Sequence, residues 1–503
     1  MIRRWLLLGI ALLLCWLQSP AHAIAATNLQ QPNIDRCRLD NGLRVYLLED
    51  RSLPLVSGRL LVDAGSRLDS ADRWGTADFT AAMLRQGSSR AYPIDRLDQE
   101  LEERAASLES SPGVTVASLS FRSFSPDLAF VLDRLFELLT DPAFPSDRLQ
   151  QLRDRSLAVL ARQNDRPDAI ASRELPKLIY GPSDALARSL TAADLQRVRR
   201  EDLVAFHQRY YRPDRLWLGI VGDFQAAPLC QTLQATWGQW QPSQTSTIAD
   251  LPTEPLTPPA TAIYLIDQPQ LSQSTVQMAS LGGRLDDPDY AALTVLNELL
   301  NGFSGRLSNQ IRSRLGLAYS VYGSGQPNFE RPGLFVAGGQ TAESTTAALI
   351  QALRAELATV RSQPISEAEL QQIRDRLLNS FVFNFQSPDQ TLGRLLRTEF
   401  FQYPEDFLWR YRDALLKVTP ADVQAVAQRW IQLDQMPILV IGDRAALLPQ
   451  LQTLNLPVQD WPLDQQPTSV TPSRLTKKAV SWGAESIGKP DSRPSSSVLT
   501  QYQ

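Results

Sequence analysis

Two runs rich in leucine and valine, Leu43 to Leu48 and Leu55 to Val62, alternate as strands do and are separated by charged, proline-bearing turn residues. Apolar positions then recur at helical spacing over about 75–86, 94–108, 125–140 and 146–163, and again over 192–211. A strand at Leu216 to Val221 closes this unit. The same order starts afresh with a strand at Ala262 to Ile266 and closes with another at Ile438 to Ile441. Local identities support a duplication. Gly65 to Asp69 reads GSRLD and Gly282 to Asp286 reads GGRLD, 217 residues on. RYYRPDRLWLGIVGDF is matched by RWIQLDQMPILVIGDR, which pairs Arg209 with Arg429, Gly222 with Gly442 and Asp223 with Asp443 at an offset of 220. Asp202 and Asp422 stand near the starts of matching helices, where a carboxylate caps free amides and meets the helix dipole.

The pattern predicts an α+β protein of two homologous α/β-sandwich domains, each a mixed or antiparallel sheet with helices packed on it. They are expected over 36–240 and 261–446, joined by a Pro/Thr-rich extended linker at 241–260. Beyond about 446 the chain turns polar and rich in Ser, Pro and Gln, and 465–503 is expected to be a disordered tail. At the other end, Arg3 and Arg4 precede the apolar run Trp5 to Leu17, and Ala21-His22-Ala23 has the form of a cleavage site. Residues 1–23 therefore read as a removable signal peptide, with an uncleaved anchor as the alternative. Cys15 follows Leu-Leu-Leu rather than small residues, which argues against a lipid anchor. No other stretch is apolar enough for a stable membrane span. The mature protein is expected to be exported, to a periplasm or an equivalent lumen or extracellular space.

Composition narrows the chemistry. The 503 residues carry 50 Lys+Arg against 54 Asp+Glu without a long basic block, so nothing marks a nucleic-acid surface. Of two histidines, His22 lies in the leader, so the mature chain keeps His207 alone, and no zinc site built on two histidines can form within one copy. Cys37 and Cys230 remain after the leader; they either pair in an oxidising compartment or stand as separate half-buried thiols. Gly302, Gly305 and Gly316 lack the lysine of a phosphate loop. His207, Trp237, Trp240 and Tyr210-Tyr211 read as packing residues.

The succession NGLRVYLLED, LPLVSGRLLVDAGSRLD, GTADFTAAML resembles the pitrilysin/insulinase metallopeptidase family, in its two-domain branch that includes the mitochondrial processing peptidase. QSTVQMASLGGRLDD, LLNGFSGRLSNQIRSRLGLAYSVYG and VTPADVQAVAQRW extend the resemblance, which covers about 38–445. It implies a clamshell pairing with a second two-domain chain, and peptides as ligands. Active members carry His-x-x-Glu-His, two zinc ligands and a base that activates water. Here those positions are Asp78, Ala81 and Ala82, and the window for a further glutamate ligand, near Ala158 and Val159, holds none. No metal is expected in this chain. What the resemblance leaves intact is an Arg and a Tyr seven residues apart, Arg312 and Tyr319, which in active members contact the scissile peptide and its developing oxyanion. Leu307 to Leu315 reads as a helix stopped by Gly316, and Leu317 to Tyr322 as the next strand. The glycine-rich loop of the non-catalytic processing-peptidase subunit is missing.

These readings lead first to a non-catalytic subunit of an exported heterodimeric zinc peptidase, with no activity of its own. A zinc-bearing two-domain chain of the same family would be its partner and a peptide or unfolded protein its substrate. The alternative is a non-enzymatic peptide-binding or structural, core-subunit-like protein. A self-sufficient zinc peptidase is excluded by the single mature histidine.

Overall fold

Each half of the chain builds one six-stranded sheet. The computed structural model describes residues 34–242, 256, 259–302 and 305–463; the expected leader, most of the linker and the tail at 465–503 lie outside the described residues. The first half runs β1 (Asp35–Arg38), β2 (Arg44–Glu49), β3 (Leu55–Val62), α1 (Thr76–Gly87), α2 (Ile94–Glu103), β4 (Ser107–Ser111) and β5 (Ala117–Phe124). It continues through α3 (Leu128–Thr140), α4 (Ser146–Leu160), α5 (Pro167–Tyr180), α6 (Ala192–Arg197), α7 (Arg200–Tyr210), β6 (Leu216–Gly222) and α8 (Ala226–Thr236). The second half runs β7 (Ile263–Asp267), β8 (Gln273–Leu281), α9 (Tyr290–Asn301), β9 (Ser320–Gln326), β10 (Leu334–Ala342), α10 (Thr346–Ser362) and α11 (Glu367–Phe381). It ends with α12 (Pro388–Phe400), α13 (Phe407–Leu415), α14 (Pro420–Trp430), β11 (Ile438–Gly442), α15 (Arg444–Gln452) and β12 (Val458–Asp460).

Strand order makes the duplication plain. The first sheet is β1-β2-β6-β3-β5-β4 and the second β12-β7-β11-β8-β10-β9, so five consecutive strands match in place. They also match in direction: β2–β6 and β7–β11 are parallel, and the other matched pairs are antiparallel. Only the outer strand differs, β1 antiparallel from the N-terminal side in one sheet and β12 parallel from the C-terminal side in the other. The α+β class and the twofold sandwich expected from the pattern are those observed.

Several elements depart from the expected pattern. The helical run 94–108 stops at Glu103, because Ala105 at φ 48° reverses the chain into β4, whose Leu108 joins the core. The run 192–211 breaks between α6 and α7, each started by its own N-terminal carboxylate, Asp194 and Asp202. Past residue 446 the chain stays regular, with α15 and then β12 added to the second sheet. Helix α5, absent from the sequence pattern, is the most consequential.

Helix α5 belongs to the first half in sequence, yet Ile170, Ala171, Leu175, Leu178 and Ile179 bury against Tyr264, Ile266, Ala279, Val336, Leu439 and Ile441 of the second sheet. Helix α12 returns the exchange, setting Leu392, Leu395, Leu396 and Phe400 on Tyr46, Leu48, Leu61 and Val221 of the first sheet. The opposite face of each sheet is covered by helices of its own half. Gly219 permits the close approach of α12: a Cβ there would stand 2.6 Å from Leu396 Cδ1 and 3.0 Å from Leu392 Cγ. Fully burying each such leucine contributes roughly 2 kcal/mol, so the exchange ties the halves together. Polar contacts add to it: Tyr180 donates to the Pro332 carbonyl at 2.9 Å, Thr115 donates to Glu330 at 2.8 Å, and Arg331 pairs with Asp184. Cys37 and Cys230 form a disulfide that joins β1 to α8, which decides between the two readings of these cysteines.

Candidate functional site

The start of α1 is fixed by Asp69, whose carboxylate accepts hydrogen bonds from the Gly75 and Ala77 amides, both at 2.8 Å. These amides would otherwise lack partners in the first helical turn. Gly75, at φ 93°, makes the left-handed turn into the helix that a residue with a Cβ would resist. On the helix itself Phe79 and Ala81 are buried, Asp78 and Ala82 half-buried. Burial pushes the Asp78 carboxyl up to about 6 against the pull of Arg188. Asp69 is pushed up to about 7, first by burial and further by the charge of Asp78, against its two amide bonds and Arg188. Arg188 lies with its guanidinium 4.8 Å from the Trp74 ring and donates to the Ser66 carbonyl. The hydroxyl of Tyr211 is raised by burial and then by the charge of Asp78.

Zinc does not fit these residues. The motif positions offer one carboxylate and two methyl groups, the guanidinium of Arg188 bears on that carboxylate, and Ala158 and Val159 sit exposed on α4 without a donor. Among the described residues no group of three or more His, Cys, Asp or Glu side chains could hold a metal ion. His207 is buried, its Nε2 lies 3.0 Å from the Leu139 carbonyl, and burial lowers it to about 4. It stacks on Tyr211 with ring centres 5.0 Å apart, while Trp237 packs against Phe136 at 5.1 Å. Both are core residues.

Arg312 and Tyr319 meet in the second half. Arg312 belongs to a π-helical segment, Ser308–Arg314, rather than to an ordinary helix over Leu307 to Leu315. Gly316 at φ 63° ends it. The strand expected from Leu317 begins at Ser320, because the Leu317 carbonyl accepts from Thr341 Oγ1 at 2.5 Å and Ala318 is buried ahead of the ladder. Tyr319 therefore stands in the connection, 85% exposed, instead of projecting from the strand. The Arg312 guanidinium lies over its ring at 5.1 Å from the centre, a cation–π contact that leaves both polar ends facing water.

Sequence reasoning did not single out Asp69, Trp74, Arg188 or Tyr211 as neighbours of the motif. Asp69 carried a signal, the shared GSRLD and GGRLD; Arg188 carried none, reaching Ser66 across 122 residues.

A duplicated α/β chain whose motif helix carries Asp78, Ala81 and Ala82 in place of His-x-x-Glu-His defines a metallopeptidase relative without the zinc-binding motif. Comparison with known proteins gives the family. The profile of the insulinase domain (peptidase family M16) matches residues 44–193, and that of the peptidase M16 inactive domain matches residues 197–377. A probable mitochondrial-processing peptidase subunit beta of Arabidopsis thaliana is 23% identical over 440 residues, covering 84% of this chain and 81% of that one. A non-peptidase homologue of Helicobacter pylori is 21% identical over 415 residues, covering 79% of this chain and 91% of that one. Among solved structures, a peptidase M16 inactive domain from Pseudomonas fluorescens superposes with a TM-score of 0.74 at 26% identity, covering 82% of this chain and 98% of that one. The chain belongs to the insulinase (M16) peptidase family, as a member without the zinc-binding motif.

Proposed function

We propose that this chain is the non-catalytic subunit of an exported heterodimeric zinc metallopeptidase, pairing with a zinc-bearing two-domain chain of its own family. The observation that carries the reading is the exposed Arg312–Tyr319 pair in a chain whose motif helix holds Asp78, Ala81 and Ala82. Zinc in the partner would supply an activated water. This chain's part is to enclose the peptide and to hold it by two donors, the Arg312 guanidinium and the Tyr319 hydroxyl, aimed at the carbonyl oxygen that gains charge. Donors placed in advance around such an oxygen are worth about 10²–10³ in rate each. The disulfide supports a location in a periplasm or an equivalent oxidising space, in keeping with the apolar leader.

The test is to purify the tagged chain from its native host, identify what co-purifies, and assay the complex with Arg312→Ala. A near-stoichiometric partner bearing His-x-x-Glu-His, and an activity lowered about 10²-fold with the complex still assembled, are expected. Unchanged turnover would remove the pair from the chemistry. A second reading, a peptide-holding or structural protein without hydrolysis, has support from the similarity to a non-peptidase homologue. Purification with a large assembly lacking any peptidase would favour it.

A further inference from the structure

Most arginines here have carboxylates or carbonyls within reach, but three that lie together do not. Arg59 on β3, and Arg394 and Arg397 on α12, make no ion pair and no side-chain hydrogen bond with any described residue. Arg59 lies on the face of the first sheet that carries Leu61 and receives α12. Its Nη1 would stand 3.7 Å from a Cβ built at Gly393, and beyond the backbone of its own helix and its two chain neighbours nothing else comes within 4 Å of that point. A glycine in mid-helix costs about 1 kcal/mol relative to alanine, and here it leaves open space in front of a guanidinium. Arg397 reaches over the Phe329 ring at 5.9 Å, from the second half's β9–β10 connection. Arg59 and Arg397 are exposed and Arg394 half-buried. Arg397 is held below its ordinary value by loss of solvent around its head, although the side chain as a whole stays accessible, and then by the charges of Arg59 and Arg394. Arg394 is lowered by burial, with Tyr290 opposing. Three like charges held together without a counter-charge cost stability unless something negative joins them.

We propose that Arg59, Arg394 and Arg397, around the open space at Gly393, form a binding site for the carboxylates of an acidic peptide segment. Guanidinium forks match carboxylates bidentately, and neighbours suit an extended peptide. Ser118 and Ser120 follow on β5 beside Leu61 and Arg59, offering hydroxyls along the strand, and Phe329 offers an apolar ring. Asp389, the nearest acid of α12's first turn, is engaged by Ser57 at 2.6 Å and by Arg122 at 3.5 Å, so the three arginines stay free for a ligand. That the ligand is a peptide rests on the reading above. The site itself does not need the partner, so its test runs on this chain alone.

Two labelled peptides of one sequence, with three Glu in one and three Gln in the other, are titrated against the whole mature chain and followed by fluorescence anisotropy. The wild type should bind the Glu peptide at least 10-fold more tightly at low salt, with the preference shrinking as salt rises. Arg394→Gln and the triple change Arg59→Gln/Arg394→Gln/Arg397→Gln should abolish the preference while thermal unfolding shows an intact fold. Gly393→Leu, which fills the space in front of Arg59 and keeps every charge, should weaken the binding of the Glu peptide as well. Equal affinity for the two peptides, or a preference that survives the triple change, would overturn the site. Competition by inorganic phosphate without any discrimination between the peptides would make it a free-anion site and overturn the peptide assignment.

Discussion

A carboxyl group in the place of a metal ligand changes what pH does to the protein. Asp78 and Asp69 sit at about 6 and about 7, raised chiefly by burial above the values they take in the unfolded chain. The folded state thus binds more protons than the unfolded one between about pH 4 and 7, so their contribution is greatest in acid and is lost as pH rises through 6 and 7. His207, lowered to about 4, works in the opposite sense: the unfolded chain takes up a proton near 6.5 that the buried imidazole refuses, so its contribution is lost as pH falls. A difference measurement separates them. The melting temperature of Asp78→Asn relative to wild type should rise steadily from pH 4 to 7, because both proteins must ionise Asp69 but only the wild type must also ionise the buried carboxyl at position 78. A difference constant with pH would show that Asp78 ionises as freely folded as unfolded. The loss of zinc ligands was legible from residue identities alone, since alanine has no lone pair to give. That Asp78 is crowded by Asp69, Arg188 and Tyr211 was not, because burial and neighbours arise only when separate elements pack.

Helices α5 and α12 hold the two halves together, and α12 is seated by size matching. On the first sheet the small partner is Gly219 in β6, which admits Leu392 and Leu396. On the second, the strand residue that the 220-residue offset matches to Gly219 is Leu439, and the helix above it carries Ala171. Gly219→Ala should cost roughly 1–3 kcal/mol, since its Cβ would overlap two leucines in a closed core. Thermal unfolding checks this, and an unchanged melting temperature would mean that α12 does not seat on β6. Strands β2, β3, β6, β7 and β11 were readable because their apolar runs pack on both faces and carry the pattern in themselves. α5 escaped because Arg166, Asp168, Arg173, Glu174 and the internal Pro176 break its periodicity, and the sheet that rewards its apolar face lies in the other half.

For the whole molecule the disulfide is the longest covalent tie, closing a segment across a sequence separation of 193. Loop-closure entropy alone sets its contribution at about 5 kcal/mol, less whatever structure the reduced chain keeps. Reduction, or Cys37→Ser, should therefore lower the melting temperature by several degrees, and free-thiol counting on the protein isolated from its native host should find Cys37 and Cys230 unreactive until reductant is added. Reactive thiols in the protein as isolated would argue against an oxidising destination. By itself the sequence determined the duplication, the α+β class, the absent zinc ligands and the spacing of Arg312 from Tyr319, because each depends on residue type and local period. Tertiary structure alone decided the pairing of Cys37 with Cys230, the crossing of α5 and α12 onto each other's sheets, and the gathering of Arg59, Arg394 and Arg397. Those depend on contacts between residues hundreds of positions apart, which take shape only once two separately legible halves close their faces against one another.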